Sequence, residues 1–376
     1  MTKLKNFLFF FLCVCVIQNN ILHAQKCSDE NATVLTKKLF SNLFKLKNTF
    51  TIFGHQDDLA YGVGWKYENN RSDIHSLVND FPGLYGWDIA HIELDSSKNI
   101  DGVPFDLMKQ YIKYAFKRGG LITISWHARN PLTGKSAWDT TNGSLNSILP
   151  GNPNHTKYTV WLDKVAEFLI DLKSETGTPI PILFRPFHEL TGNWFWWCKN
   201  VSSSHDFIKL WRFTTKYLQQ KNIHNLLYVY NAADFSTSSD FLNRYPGNDV
   251  VDIVSFDRYQ FPGKNSREEF IKIMKSQIGI LKNVAVSKQK IAAIAETGYE
   301  AIPDKTWWTK TLLPLIQYNK LSYVLVWRNE GYMPSINKMH YYAPYPNQIS
   351  ATDFKLFYSD TSLLFEQNLR SKNIYQ

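Results

Sequence analysis

Cysteine is scarce in this chain: four residues in 376. Cys13 and Cys15 fall in an N-terminal leader, so only Cys27 and Cys198 remain, and two cysteines cannot staple a domain of this size. A single bridge from the N-terminal tail to the loop after Trp197 stays open, as do two free thiols. Beyond the leader no apolar run is long enough to span a membrane, which excludes an integral helical protein. Linkers are missing too. No Pro/Ser/Gly stretch, low-complexity tract or repeat divides the chain, so residues 25–376 are expected to form one domain. Charge of one sign is in modest excess, a formal +9 that includes Lys3 and Lys5 of the leader. The basic residues are scattered instead of clustered, which argues against nucleic acid as a partner and is compatible with a monomer.

The leader itself is legible. Lys3 and Lys5 precede an apolar run over 7–17, and Ala24 closes a short polar stretch as a small cleavage residue should. Residues 1–24 are expected to be a signal peptide and the mature protein to be exported, secreted or periplasmic, with cell-surface association left open. Gln25-Lys26 stand before Cys27 where a lipid-attachment signal has small residues, which argues against an anchor.

Short apolar runs recur over 49–53, 85–92, 120–126, 180–184, 226–230, 252–256, 291–295 and 323–327. Helical spacing fills 32–46, which should pack across the bottom of the domain, and 104–118, 158–174, 205–220, 266–286 and 305–318. Strands apolar on both faces that alternate with helices imply a parallel sheet, and eight such units imply an α/β fold, a single (β/α)8 TIM barrel. Barrel active sites gather at the C-terminal strand ends. Those ends carry His55-Gln56-Asp57-Asp58, Trp126-His127, Arg185 to Glu189, Asp257-Arg258-Tyr259, Glu296-Thr297-Gly298 and Trp327-Arg328-Asn329.

Aromatic residues make up 15% of the chain, and Trp194, Trp196 and Trp197 crowd against Arg185, His188 and Glu189. Charged groups are costly beside aromatic rings unless they pair or act on something, and aromatic faces are what sugar rings stack on. Glu189 and Glu296 end the fourth and seventh runs, which face each other across a barrel mouth. Two facing carboxyl groups are the requirement for retaining glycoside hydrolysis.

The run Arg185-Pro186-Phe187-His188-Glu189 with Gly192-Asn193-Trp194-Phe195-Trp196-Trp197 resembles the signature of glycoside hydrolase family 26, whose best-known members are β-mannanases. Gly54-His55-Gln56-Asp57-Asp58 with Tyr61-Gly62, Ser125-Trp126-His127, Phe256-Asp257-Arg258-Tyr259, Ala295-Glu296-Thr297-Gly298 and Trp327-Arg328-Asn329 resemble further blocks, in order. The resemblance implies a secreted β-1,4-mannanase that acts on mannan, glucomannan or galactomannan and on manno-oligosaccharides. It implies Glu189 as acid/base, Glu296 as nucleophile and Tyr259 as the hydroxyl bonded to Glu296. His188 would position the nucleophile and shape the sugar subsite. His127 and Trp327 would border the sugar at the cleavage point, with Arg328, Trp194 and Trp138 lining the cleft. Neither metal nor cofactor is implied, and His55, Asp57, Asp58 and the His188-Glu189 pair lack a second ligand pair nearby. Asp57 and Asp58 are expected to hold the first loop or to touch sugar, and His91 and Glu93 to be structural. An exo-acting mannobiohydrolase, a xylanase or mixed-linkage glucanase, and a non-catalytic glycan-binding barrel are the alternatives.

Overall fold

The computed structural model describes residues 26–335 and 337–376. The leader read over residues 1–24 lies outside the described residues. Eight strands carry the architecture: β1 (Thr51–Gln56), β2 (Leu84–Asp88), β3 (Leu121–Ser125), β4 (Ile182–Arg185), β5 (Leu226–Ala232), β6 (Ile253–Gln260), β7 (Ile291–Tyr299) and β8 (Leu321–Val326). Each pairs in parallel with the next, and β8 pairs with β1 through Ile52 to Tyr323 and His55 to Val326, closing the barrel. Six of the strands are buried along their whole length, because one face fills the barrel and the other receives the helices.

The helices follow their apolar spacing. In α2 (Phe105–Lys117) the buried residues are Phe105, Met108, Ile112 and Ala115, a single stripe. In α4 (Ser204–Gln220) Phe207, Leu210, Trp211, Thr214 and Leu218 do the same, after Ser203 caps the first turn by accepting from the Asp206 N–H. The others on the barrel wall include α3 (His155–Ile170) and α5 (Ser266–Lys288). The stretch expected as one helix over 305–318 is shorter, a π-helical segment Trp308–Leu312 running into Leu313–Ile316, with Pro314 unable to donate a backbone bond there.

As expected, α1 (Val34–Leu46) closes the bottom: Leu39, Phe40 and Leu43 join Ile52, Leu84, Leu121, Leu183, Leu227 and Ile253 in one apolar cluster. Above that layer the interior narrows. A Cβ on Gly86 would lie 2.0 Å from the Gln56 side-chain oxygen, so the glycine leaves the space that the Gln56 side chain fills. Higher still the lining turns polar, with Asp88, Ser125, Arg185, Asn231, Asp257 and Glu296 at the strand ends, all buried. Cys27 lies in the bottom cluster and Cys198 in the loop after β4, and both are free buried thiols. Among the described residues, no helix is long and apolar enough to cross a membrane.

Candidate active site

Strand β7 aims its carboxylate inward through an irregularity. On β6, Ile253, Ser255 and Asp257 pair with Ile291, Ala293 and Glu296, so the register gains one residue on β7 between Ile294 and Glu296. Strict alternation from Ala293 would turn Glu296 to the outer face. The extra residue, Ala295, re-aims it into the barrel, as bulges beside active sites do. There Arg185 donates to Glu296 Oε1 at 2.7 Å and Tyr259 donates to Oε2 at 2.8 Å. Both carboxyl oxygens of Glu296 are thus fixed by donors from different strands.

Glu189 lies in the loop after β4 with φ of 53°, a left-handed backbone in a non-glycine residue, which costs about 1 kcal/mol. The surrounding bonds hold it there. Its N–H donates to Asn231 Oδ1 at 2.7 Å, and its carbonyl accepts from Gly192 N–H at 2.9 Å and from the Cys198 thiol at 3.3 Å. Burial pushes that thiol up to about 12, so it stays a donor. The Trp194 indole N–H donates to Glu189 Oε2. Trp196 and Trp197 are fully buried and donate to the carbonyls of Ala128 and His188. They form the floor of the loop, and Trp194, half-buried, is the ring at the carboxyl group.

A second chain runs along the mouth. Asp88 Oδ2 lies 2.8 Å from His127 Nδ1, and His127 Nε2 lies 3.0 Å from His188 Nε2. Burial opposes charge on His127, yet the Asp88 carboxylate outweighs it and raises the imidazole's affinity for a proton. His188 is driven the other way, first by burial and then by His127. His188 therefore meets His127, and the groups that touch Glu296 are Arg185 and Tyr259. Trp138, 49% exposed, stacks on His127 with centroids 5.1 Å apart.

Trp327 and Arg328 follow β8 and are partly exposed. Arg328 faces a buried acidic group: its Nε is 3.2 Å from Asp101, its Nη1 donates to the Tyr61 hydroxyl at 3.2 Å, and it pairs with Glu330. Tyr61 in turn donates to Asp57 at 2.6 Å. His55 and Asp58 pair at 2.7 Å, and Asp58 accepts from Ser72, which holds the first loop without reaching the mouth. Glu93 accepts from the Trp126 indole and the Arg129 N–H, a structural role as expected. Sequence reasoning missed Asp88, Asp101 and Asn231 as members of the site, and placed Asp257 only within a motif. Asp88, Asn231 and Asp257 stand in the last residues of their strands, which is the signal that could have found them, whereas Asp101 lies well into the loop after β2 and carries no such signal.

Glu189, Asp257 and Glu296 bring carboxylate oxygens within 4.8 Å of one another. Such a group could hold a cation, and the Arg185 guanidinium already pairs with Glu296 and, at 3.3 Å, with Asp257. Burial first, and Glu296 second, raise Glu189 to about 7, against the opposing Trp194 bond. The proton on Glu189 is bound more tightly in the folded chain than in the unfolded one. The stability it contributes is complete below pH 4.5 and is lost as pH rises through about 7. Thermal midpoints of wild type and Glu189→Gln should keep a constant difference below pH 4.5, then shift in favour of the Gln variant until about pH 7. A difference that stays flat across that window would show that Glu189 is not perturbed.

Known proteins share this architecture. The family model described as glycosyl hydrolase family 26 matches residues 28–312. A mannan endo-1,4-beta-mannosidase of Bifidobacterium adolescentis is 32% identical over 285 residues, 72% of this chain and 28% of that protein. One from Bacillus subtilis is 30% identical over 61% of this chain and 65% of its own length. The chain thus spans less than two thirds of either relative. Among solved structures, the GH26 beta-mannanase from Bacteroides ovatus is 42% identical, with a TM-score of 0.86 over 92% of this chain and 98% of that one.

Proposed function

Since the chain belongs to glycosyl hydrolase family 26, we propose that it is a retaining β-1,4-mannanase that hydrolyses mannan, glucomannan or galactomannan through a covalent glycosyl-enzyme intermediate. The observation that carries this reading is the approach of the Glu189 and Glu296 oxygens to within 4.8 Å. Retaining enzymes hold their carboxyl groups about 5 to 5.5 Å apart, whereas inverting enzymes leave about 6.5 to 9.5 Å for a water.

Glu296, held by Arg185 and Tyr259, attacks the anomeric carbon as Glu189 gives its proton to the departing glycosidic oxygen. Glu189, now ionised, takes a proton from water, which attacks the same carbon and releases Glu296. The first step needs Glu189 protonated, so kcat/KM should fall as pH rises through about 7. His127, His188, Trp194, Trp327, Arg328 and Trp138 are the proposed sugar contacts. The partners proposed are β-mannans and manno-oligosaccharides, with the chain acting as an exported monomer after loss of residues 1–24.

Exo action is the second reading, and one observation favours it. The loops after the adjacent strands β2, β1 and β8 are tied to one another on one side of the mouth: Asp101 pairs with Arg328, the Tyr67 hydroxyl donates to the Gly102 carbonyl, and Lys66 pairs with Glu330. Loops joined in this way restrict one end of a cleft. Assays on linear mannan, galactomannan, xylan and mixed-linkage glucan test both readings. Release of manno-oligosaccharides from the mannans alone supports the mannanase. Mannobiose as the sole early product supports exo action, and a ladder of products supports endo action. Cleavage of xylan or glucan with no action on mannan overturns the assignment.

A further inference from the structure

Asn231 is the penultimate residue of β5, is fully buried and has no contact with solvent, and its side-chain amide is engaged at both ends. Its carboxamide oxygen accepts the Glu189 N–H at 2.7 Å, and its main-chain oxygen accepts the next one, Leu190 N–H, at 3.1 Å. Its amide nitrogen donates to Asp257 Oδ1 at 2.8 Å and to Ser255 Oγ at 2.9 Å. Asp257 Oδ2 meets Arg185, and Arg185 meets Glu296. One unbroken chain of bonds therefore runs from the Glu189 backbone through Asn231, Asp257 and Arg185 to Glu296.

The fixed point matters because of the backbone it holds. A glutamate at φ of 53° is off its preferred conformation, and relaxation to an ordinary φ would swing the side chain away from Glu296. Few side chains could do what Asn231 does. It needs an acceptor for a backbone N–H and, on the same planar group, a donor for a carboxylate. Aspartate offers no donor unless protonated, and serine is too short to span both.

We propose that Asn231 is a positioning residue for the reaction: it clamps Glu189 in its left-handed conformation and sets that carboxyl group against Glu296. The proposal rests on the retaining mechanism proposed above. Positioning through Glu189 predicts a selective defect in kcat/KM, because in the first step, which kcat/KM reports for an activated leaving group, only the proton transfer depends on it. A 2,4-dinitrophenyl β-mannobioside has a leaving group that departs without a proton, whereas mannohexaose needs one.

Wild type, Asn231→Ala, Glu189→Ala and the double variant should be compared on both substrates, with thermal midpoints recorded for each. In Asn231→Ala, kcat/KM on mannohexaose should fall about 100-fold, and that for the formation of dinitrophenolate by no more than about 3-fold. In the Glu189→Ala background, Asn231→Ala should cause no further loss on mannohexaose, because the interaction is already gone. Equal losses on both substrates, additive losses in the double variant, or an unchanged mannohexaose rate would each overturn the proposal. Asn231→Ser, which keeps a polar group beside Ser255, replaces Asn231→Ala with the same expectations if the alanine variant does not fold. A wild type inactive on both substrates would instead reject the mannanase reading itself.

Discussion

Glu296→Ala should lower hydrolysis of β-1,4-mannan on the order of 10⁵-fold. No other carboxylate can take its place. Asp257, with an oxygen within 4.8 Å of Glu296, is tied to Arg185 and accepts from Asn231, and burial raises its affinity for a proton. Without an ionised group at the anomeric carbon the covalent intermediate cannot form, so activated substrates should fail as badly as the polymer. The variant also leaves Arg185 with one anionic partner in a buried site, which destabilises the fold. Glu296→Gln, which keeps the volume and one acceptor oxygen, is the control for that effect. Reducing-sugar release above a tenth of the wild-type rate in either variant would remove Glu296 from the nucleophile's role.

Glu189→Ala should behave differently. Hydrolysis of mannan should fall about 10²-fold to 10⁴-fold, the range that general acid–base assistance supplies. With a dinitrophenyl glycoside the first step needs no acid, so a burst of dinitrophenolate should appear and the glycosyl-enzyme should accumulate. Azide, which needs no base to attack, should then restore turnover and yield a β-glycosyl azide. Equal loss on polymer and activated substrate, with no azide product, would contradict the role of Glu189. The two variants thus separate the carboxyl groups by chemistry instead of by the size of the loss alone.

Much of this was legible in the sequence, for physical reasons. Strands buried on both faces are written as short continuous apolar runs, and all eight stand out. Since a barrel gathers its strand ends, His127, Arg185, Glu189, Tyr259 and Glu296 could be assembled from their positions in those runs alone. The family resemblance, carried by the blocks around His127, Glu189, Glu296 and Trp327, matches what the family model finds. Other features depend on geometry that residue order does not carry. The bulge at Ala295 leaves no mark in an Ala-Ala-Ile-Ala run, yet it decides which way Glu296 points. Trp194, Trp196 and Trp197 look equivalent in sequence, and only the packed loop separates the ring at the carboxyl group from the two in the floor. Asn231 looked like an ordinary residue at a strand end. Its partners lie 42 and 26 positions away, at a distance where no local pattern reaches. The link between Asp101 and Arg328 joins loops from opposite ends of the chain.

Retention is the central claim, because it follows from the short distance between Glu189 and Glu296 and requires both to act as described. Proton NMR of the first minutes of mannohexaose hydrolysis measures it directly. The new reducing end should appear as the β anomer, with the α anomer growing in only at the rate of mutarotation. An α anomer formed first would mean inversion and would contradict it.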